Sequence, residues 1–155
     1  MQFDSWYDFI TQRYSGEEKK MAYVSSFTYC ENIQTEMTPQ GPRLQIITPL
    51  QVLKPVALPS NYSFAVACSI AGFDITKENK VQIIFVSPTN QTVNDTREIE
   101  FYMAGENADD SSSNAMQFNL DLRNVVLREK GIHTTRVFAN GELIGEYKIE
   151  VTTGE

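Results

Sequence analysis

The sequence predicts a mostly β fold in which antiparallel strands form a sandwich or a barrel. Apolar and polar residues alternate in one segment after another between residues 61 and 151, as they do in half-buried strands. These segments follow one another at intervals of roughly ten residues, with polar turn sequences and no helical periodicity between them. The last two are joined by Asn140-Gly141, a strong hairpin signal because a type I′ turn needs positive φ at both central residues. A chain of 155 residues suits a single domain with its own core.

Residues 1–16 are expected to form a short amphipathic helix that precedes the strands. Apolar side chains recur there at spacings of three and four, which places them on one helical face. They are Phe3, Trp6, Tyr7, Ile10 and Tyr14. Trp and Tyr are enriched in binding hot spots, and helix-in-groove docking uses this spacing. We therefore expect the helix to contact a protein partner or a second copy of the chain; the alternative is that it covers its own domain.

The region from Met21 to Ser60 combines a regular strand pattern with a proline-rich segment. Residues 22–33 alternate as a strand does, and five of the six prolines lie between residues 39 and 59. Because proline is confined to turns and sheet edges, we expect this segment to be irregular edge strand that wraps the core. The β domain is expected to extend over residues 22–151.

Two segments resemble parts of an immunoglobulin-type sandwich. "FAVACSIAGF" is similar to the second strand of such domains, with Cys68 where they often carry their first cysteine. "LDLRNVVLREKGIHTTRV" resembles the corner that leads into the strand Gly-x-Tyr-x-Cys, but His133 replaces the tyrosine and Thr135 the cysteine. The resemblance implies one antiparallel immunoglobulin-like β-sandwich of seven to nine strands, without an inter-sheet disulfide. It also implies that His133 turns inward and bonds an upstream backbone carbonyl; a catalytic or metal-binding role is the alternative.

The layout of residues 22–151 also resembles a family of uncharacterised small bacterial β-sandwich proteins. The positions that carry this likeness are Tyr29-Cys30-Glu31, Pro55, Pro59, Gly131 and Asn140-Gly141. Gly131, His133, Asn140 and Gly141 are accordingly interpreted as structural residues. The family has no established activity, so the resemblance implies a fold and no function.

The charge distribution limits the partners that we expect. The net charge is −7, whereas phosphate binding needs clustered Lys and Arg, so nucleic acid is not an expected partner. Six carboxylates lie between residues 95 and 110 with only Arg97 among them. They are Asp95, Glu98, Glu100, Glu106, Asp109 and Asp110. We expect them to form an acidic surface that contacts a partner, with calcium binding by the last three as an alternative.

The remaining residues give no sign of catalysis. Cys30 and Cys68 lie in strand patterns without metal-ligand spacing, so both are expected to be buried thiols, and no metal or cofactor is expected. The N-terminal residues do not resemble a secretory signal, and no segment is apolar enough to span a bilayer, which predicts a cytoplasmic protein. The sequence thus predicts a non-enzymatic protein-interaction module of a bacterium or bacteriophage. The alternatives are a phage-encoded inhibitor of a host defence enzyme and a sugar- or calcium-binding module.

Overall fold

The computed structural model describes residues 21–102 and 115–154. Within these ranges the chain forms ten strands and no helix. The strands are β1 (Tyr23–Thr38), β2 (Gly41–Pro49), β3 (Val52–Leu53), β4 (Ser60–Ala71), β5 (Glu78–Val86), β6 (Thr92–Asp95), β7 (Ile99–Tyr102), β8 (Met116–Leu127), β9 (Gly131–Ala139) and β10 (Glu142–Val151). The helix expected over residues 1–16 lies outside the described residues.

The strands form two sheets that pack face to face. One sheet has four strands in the order β2-β1-β4-β8; the other has the order β3-β10-β9-β5-β6, with β7 also paired to β5. All pairings are antiparallel except that of β3 with β10. The adjacency of β4 with β8, and of β9 with both β5 and β10, matches strands B–E and C–F–G of an immunoglobulin sandwich. The fold is therefore an immunoglobulin-like β-sandwich.

Two expectations about the strands need correction. The ten strands exceed the expected seven to nine, because the proline-rich segment contributes β2 and β3 and residues 92–102 divide into β6 and β7. The second concerns β2, which lies at a sheet edge as expected but is regular, pairing with β1 along almost its whole length. It stays regular because Pro39 lies in the turn before it and Pro42 is tolerated on an edge strand.

The core lies between the two sheets and follows the alternation of the strands. On β4 the side chains of Phe64, Val66, Cys68 and Ile70 are buried, and they pack with buried residues of β5, β8, β9 and β10. Most outward neighbours on β8 and β10 are exposed, whereas on β4 the outward-facing Ala65 and Ala67 are buried as well.

The Asn140-Gly141 turn joins β9 and β10 and also ties them to β5. Both residues have positive φ, 51° and 82°, as a type I′ turn requires. The amide nitrogen of Lys80 donates to Asn140 Oδ1 at 2.8 Å, and the Asn140 amide nitrogen donates to the Lys80 carbonyl at 2.8 Å. Asn140 thus fixes the end of the hairpin against the neighbouring strand.

Candidate protein-binding surface

The β1–β2 hairpin extends beyond the body of the sandwich. β1 pairs with β4 only from Tyr23 to Cys30, and from Asn32 onward it pairs with β2 alone. Residues 32–47 therefore form a two-stranded arm that has no third strand beside it in the part of the chain that the structure describes. Arm residues that include Ile33, Thr35 and Leu44 border a cleft of about 130 Å³ together with residues of β4 and β8.

The arm has one apolar face and one polar face. Cross-strand register places Ile33 opposite Ile46, and Leu44 lies on the same face of β2 as Ile46. Met37, Leu44 and Ile46 are 76%, 39% and 44% exposed. Neighbouring apolar side chains that stay in solvent are a feature of binding surfaces, since a soluble domain otherwise buries such residues.

The polar face of the arm is held by side-chain contacts of its own. Gln34 lies opposite Gln45, and Glu36 lies opposite Arg43. The Glu36 carboxylate accepts a hydrogen bond from Gln45 Nε2 at 2.8 Å and lies 3.7 Å from an Arg43 guanidinium nitrogen. These contacts pair the polar groups of this face within the hairpin, whereas no comparable contact joins the apolar face to the rest of the chain within residues 21–102 and 115–154.

The backbone of β2 offers a hydrogen-bonding edge at Leu44 and Ile46. In an antiparallel pair, alternate residues exchange hydrogen bonds with the partner strand and the others point away from it. Pro42 has no N–H, so it occupies a position that points away from β1. Leu44 and Ile46 lie two and four residues further along β2, so their N–H and C=O groups also point away from β1.

In the described part of the acidic surface, side chains of β5 partly offset the negative charge of the carboxylates. Lys80 on β5 places its ammonium 3.7 Å from Glu98 and 3.8 Å from Glu100. Hydrogen bonds from the Gln82 side chain and from a backbone N–H hold the pKa of Asp95 below its ordinary value. The sequence did not reveal Lys80 and Gln82 as neighbours because pairing between distant strands brings them there. Glu106, Asp109 and Asp110 lie outside the described residues. The same holds for the N-terminal aromatic stripe, which is the expected helical face of Phe3, Trp6, Tyr7, Ile10 and Tyr14.

His133 lies in the core, fully buried, with its ring 5.4 Å from that of Phe85. Its Nδ1 donates to the upstream carbonyl oxygen of Gly131 at 3.1 Å, so Nε2 is the unprotonated ring nitrogen. Nε2 has no hydrogen-bond partner among the residues that the structure describes. Burial lowers the pKa of His133 because the charged ring would be poorly solvated there. The residue is therefore a neutral imidazole that faces the core and bonds a carbonyl just upstream of it.

A hydrogen-bonded group of side chains surrounds Thr135, the position at which the immunoglobulin resemblance places the second cysteine. The Tyr29 hydroxyl lies 2.6 Å from Thr135 Oγ1 and donates to the carbonyl oxygen of Tyr147 at 2.9 Å. The ring of Phe27 stacks on that of Tyr147 at 4.0 Å. Thr135 was singled out from the sequence only as a missing cysteine, and nothing local indicated that Tyr29 would meet it.

Both cysteines are free thiols. Cys68 lies in the core between the two sheets, whereas Cys30 follows the inward-facing Tyr29 and therefore lies on the outer face of β1. Both are fully buried, and burial raises the pKa of Cys68 to about 12 and also raises that of Cys30. Thiols with raised pKa values remain protonated at neutral pH, and the thiolate is the nucleophilic form. Among residues 21–102 and 115–154, no three His, Cys, Asp or Glu side chains are grouped in a way that could hold a metal ion.

One end of the sandwich contains a second concavity, of about 250 Å³. Its lining includes Ser87, Val93, Val126, Glu129 and His133. Thr89 donates to the Glu129 carboxylate at 2.8 Å, and this hydrogen bond contributes most to lowering the pKa of Glu129. The volume is below the roughly 300 Å³ at which ligand pockets usually begin, and its polar groups largely bond one another. We therefore assign no ligand to it.

The two sheets and the projecting arm define an immunoglobulin-like β-sandwich protein with an exposed apolar hairpin. The chain belongs to the family of unknown function DUF6941, whose model matches residues 25–152. This agrees with the resemblance of the sequence to a family of uncharacterised β-sandwich proteins. No protein of curated function matches the chain. In the described ranges no helix has the length and apolar character to cross a membrane.

Several solved structures share the general architecture at low sequence identity. An immunoglobulin-like protein from Pseudomonas aeruginosa has 13% identity and a TM-score of 0.45, with 86% of this chain and 98% of that chain covered. The DNA-bound alkylpurine DNA glycosylase AlkC of Pseudomonas fluorescens has 11% identity and a TM-score of 0.49, over 93% of this chain and 33% of that chain. A family 2 glycosyl hydrolase of Bacteroides cellulosilyticus has 12% identity and a TM-score of 0.44, over 83% and 15%. This chain thus spans a third or less of these two enzymes, and such distant likenesses carry no argument about activity.

Proposed function

We propose that this protein is a non-enzymatic protein-interaction module that uses the apolar face of the arm as a contact surface. The observation that carries the proposal is the exposure of Met37, Leu44 and Ile46 on one face of a projecting hairpin. Burying an apolar side chain of this size contributes about 1.5–3 kcal/mol when it is complete, and these three are already partly covered. Their burial by a partner would favour association by a few kcal/mol in total, before the entropic cost of binding.

The groups that could otherwise perform chemistry support the non-enzymatic part of the proposal. Cys68 and His133 are the two that the immunoglobulin resemblance singles out, and both are fully buried in the core. Burial raises the pKa of the first and lowers that of the second, so both stay neutral near pH 7. A protonated thiol is a poor nucleophile, an imidazole of lowered pKa is a weaker base, and neither buried side chain is exposed to a substrate in solvent.

The N-terminal aromatic stripe and the acidic surface remain part of the proposal as additional contacts. Trp6 and Tyr7 would anchor the stripe, and a basic partner would meet the carboxylates. Glu98 and Glu100 are already paired with Lys80, so the described carboxylates would steer an encounter rather than anchor it. A cytoplasmic location and an origin in a bacterium or a phage stay predictions.

The test compares what the full chain captures from its native host with what its variants capture. Leu44→Lys combined with Ile46→Lys should abolish capture of any partner that contacts the arm, since two desolvated ammonium groups would oppose binding. Leu143→Lys is the matched control, because Leu143 is 47% exposed on a different hairpin. Trp6→Ala with Tyr7→Ala tests the stripe separately. Identical captured proteins for the wild-type chain and all variants would contradict the proposal.

A further inference from the structure

We propose that the arm binds a second copy of this chain, with the two β2 strands pairing antiparallel about a two-fold axis at Gln45. The proposal rests on the arm being a protein-binding surface and names the occupant of that surface. Three observations support it. β2 lies at the edge of its sheet, the N–H and C=O groups of Leu44 and Ile46 point away from β1, and a two-fold axis at Gln45 would place compatible residues opposite one another.

β2 is the most suitable sheet edge in the described ranges for pairing with another strand. It is nine residues long and terminates the four-stranded sheet, so its outward N–H and C=O groups are available as a template. The opposite edge, β8, carries the Asp121–Arg123 ion pair at 2.7 Å and is interrupted by Asn124 with φ of 54°. In the other sheet, β3 is two residues long and β6 and β7 are four residues each.

The residues of β2 whose N–H and C=O groups point outward select one register for the pairing. Leu44 and Ile46 are the outward-pointing residues of β2 that can both donate and accept in regular strand geometry, since Pro42 has no N–H and Thr48 has φ of 52°. Only an axis at Gln45 sets Leu44 of one copy opposite Ile46 of the other, so that these two residues exchange hydrogen bonds and do so twice by symmetry. An axis at Leu44 would set Ile46 opposite Pro42 and lose donors, and an axis at Ile46 would set Leu44 opposite Thr48.

The side chains fit the same register. Leu44 and Ile46 lie on the apolar face, so the pairing would bring four apolar side chains together beside Ile33 of each copy. Arg43 is the only charged residue of β2, and it would lie opposite Ile47, so no like charges face each other. Gln45 would meet its own copy on the polar face, where amide groups can bond one another. A surface that is complementary to itself in this way favours a second copy as the occupant.

The test measures the molar mass of the full chain by sedimentation equilibrium over a wide concentration range. The wild-type chain should approach twice its monomer mass. Leu44→Lys with Ile46→Lys should be monomeric, because each ammonium group introduced at position 44 would face the one at position 46 of the other copy. Leu44→Lys with Ile46→Glu should remain dimeric, because each introduced ammonium group would face an introduced carboxylate of the other copy instead. Val126→Lys, on the other edge of the sheet at the same 39% exposure as Leu44, should leave the dimer intact.

Three results would overturn the inference. They are a wild-type chain that stays monomeric at every concentration, two double variants that behave alike, and a dimer that only Val126→Lys dissociates. Urea unfolding of each variant establishes that a monomeric mass belongs to a folded chain. A monomeric wild-type chain whose capture of host proteins still depends on Leu44 and Ile46 would refute the second copy as occupant and leave the proposed function standing. Loss of that dependence as well would refute both.

Discussion

The hydroxyl of Tyr29 lies 2.6 Å from Oγ1 of Thr135 and joins the two sheets of the sandwich by a buried hydrogen bond. Tyr29 belongs to β1 in one sheet and Thr135 to β9 in the other. Because the tyrosine proton goes to the carbonyl oxygen of Tyr147, the threonine hydroxyl is the donor to the tyrosine oxygen. Burial raises the pKa of the Tyr29 hydroxyl, so this arrangement persists across the ordinary pH range. A buried polar link thus joins β1 to β9, whereas the disulfide of immunoglobulin domains would join the strands that correspond to β4 and β9.

Removing the Tyr29 hydroxyl should destabilise the protein. Tyr29→Phe keeps the ring in the core but leaves the Thr135 hydroxyl and the Tyr147 carbonyl without their partner. An unsatisfied buried group costs about 1–3 kcal/mol, so the free energy of unfolding in urea should fall by that amount. Tyr23→Phe is the control, because Tyr23 is 57% exposed and its loss should change stability by about 0.5 kcal/mol or less. Equal effects of the two substitutions would contradict the structural role of the link.

The two ends of the link should be energetically coupled. Thr135→Val alone should also lower the free energy of unfolding, since it leaves the Tyr29 oxygen without a donor. The double variant Tyr29→Phe with Thr135→Val removes both hydroxyls and should lose less than the sum of the single losses, with a coupling of about 1 kcal/mol. Strict additivity in urea unfolding would show that the two groups do not interact in solution.

Acidification should destabilise the fold through His133. Burial lowers its pKa in the folded protein, whereas in the unfolded chain it titrates near its ordinary value of 6.5. Below that value the unfolded chain binds a proton that the folded chain does not, so stability present above pH 6.5 is lost as the pH falls through the folded pKa. We expect the free energy of unfolding to decrease from about pH 7.5 to about pH 5.5.

A His133→Phe variant supplies the control for this pH dependence. Its ring can still stack on Phe85 but cannot titrate, so its stability should be much flatter across the same range. The carboxyl groups of Asp74, Asp95 and Glu129 also have lowered pKa values, but they affect stability at lower pH because their ordinary pKa values are near 4. A variant whose stability falls as steeply as that of the wild-type chain would exclude His133 as the cause.

The Asn140-Gly141 turn should depend on the conformation of its glycine. Gly141 has φ of +82°, and a Cβ added there would meet nothing within 4 Å. Gly141→Ala should therefore cost about 1 kcal/mol in the free energy of unfolding through backbone strain alone. Gly154→Ala is a matched control, since a Cβ added there also meets nothing within 4 Å and its φ lies outside the left-handed region. If both substitutions have the same effect, strain at the turn is not the reason.

The alternation of side chains was sufficient to predict the sandwich but not the partners of each strand. The periodicity of residues 62–70 and the Asn140-Gly141 pair are local signals, and the structure contains β4 and the β9–β10 hairpin at those places. The arm was missed because five prolines suggested irregular chain. Their effect depends on whether each proline nitrogen faces a neighbouring strand, and composition does not show this. The link between Tyr29 and Thr135 spans 106 positions of sequence, so no local pattern could have predicted it.

The continuity of β1 from the body of the sandwich into the arm has a mechanical consequence. A single strand runs from Tyr23, where it is bonded to β4, to Thr38 at the tip of the hairpin. A load on the arm that is directed along β1 therefore pulls this strand along its own axis. The hydrogen bonds between β1 and β4 then resist together in shear, rather than opening one after another from an end. The attachment of the arm is therefore suited to bearing tension along β1.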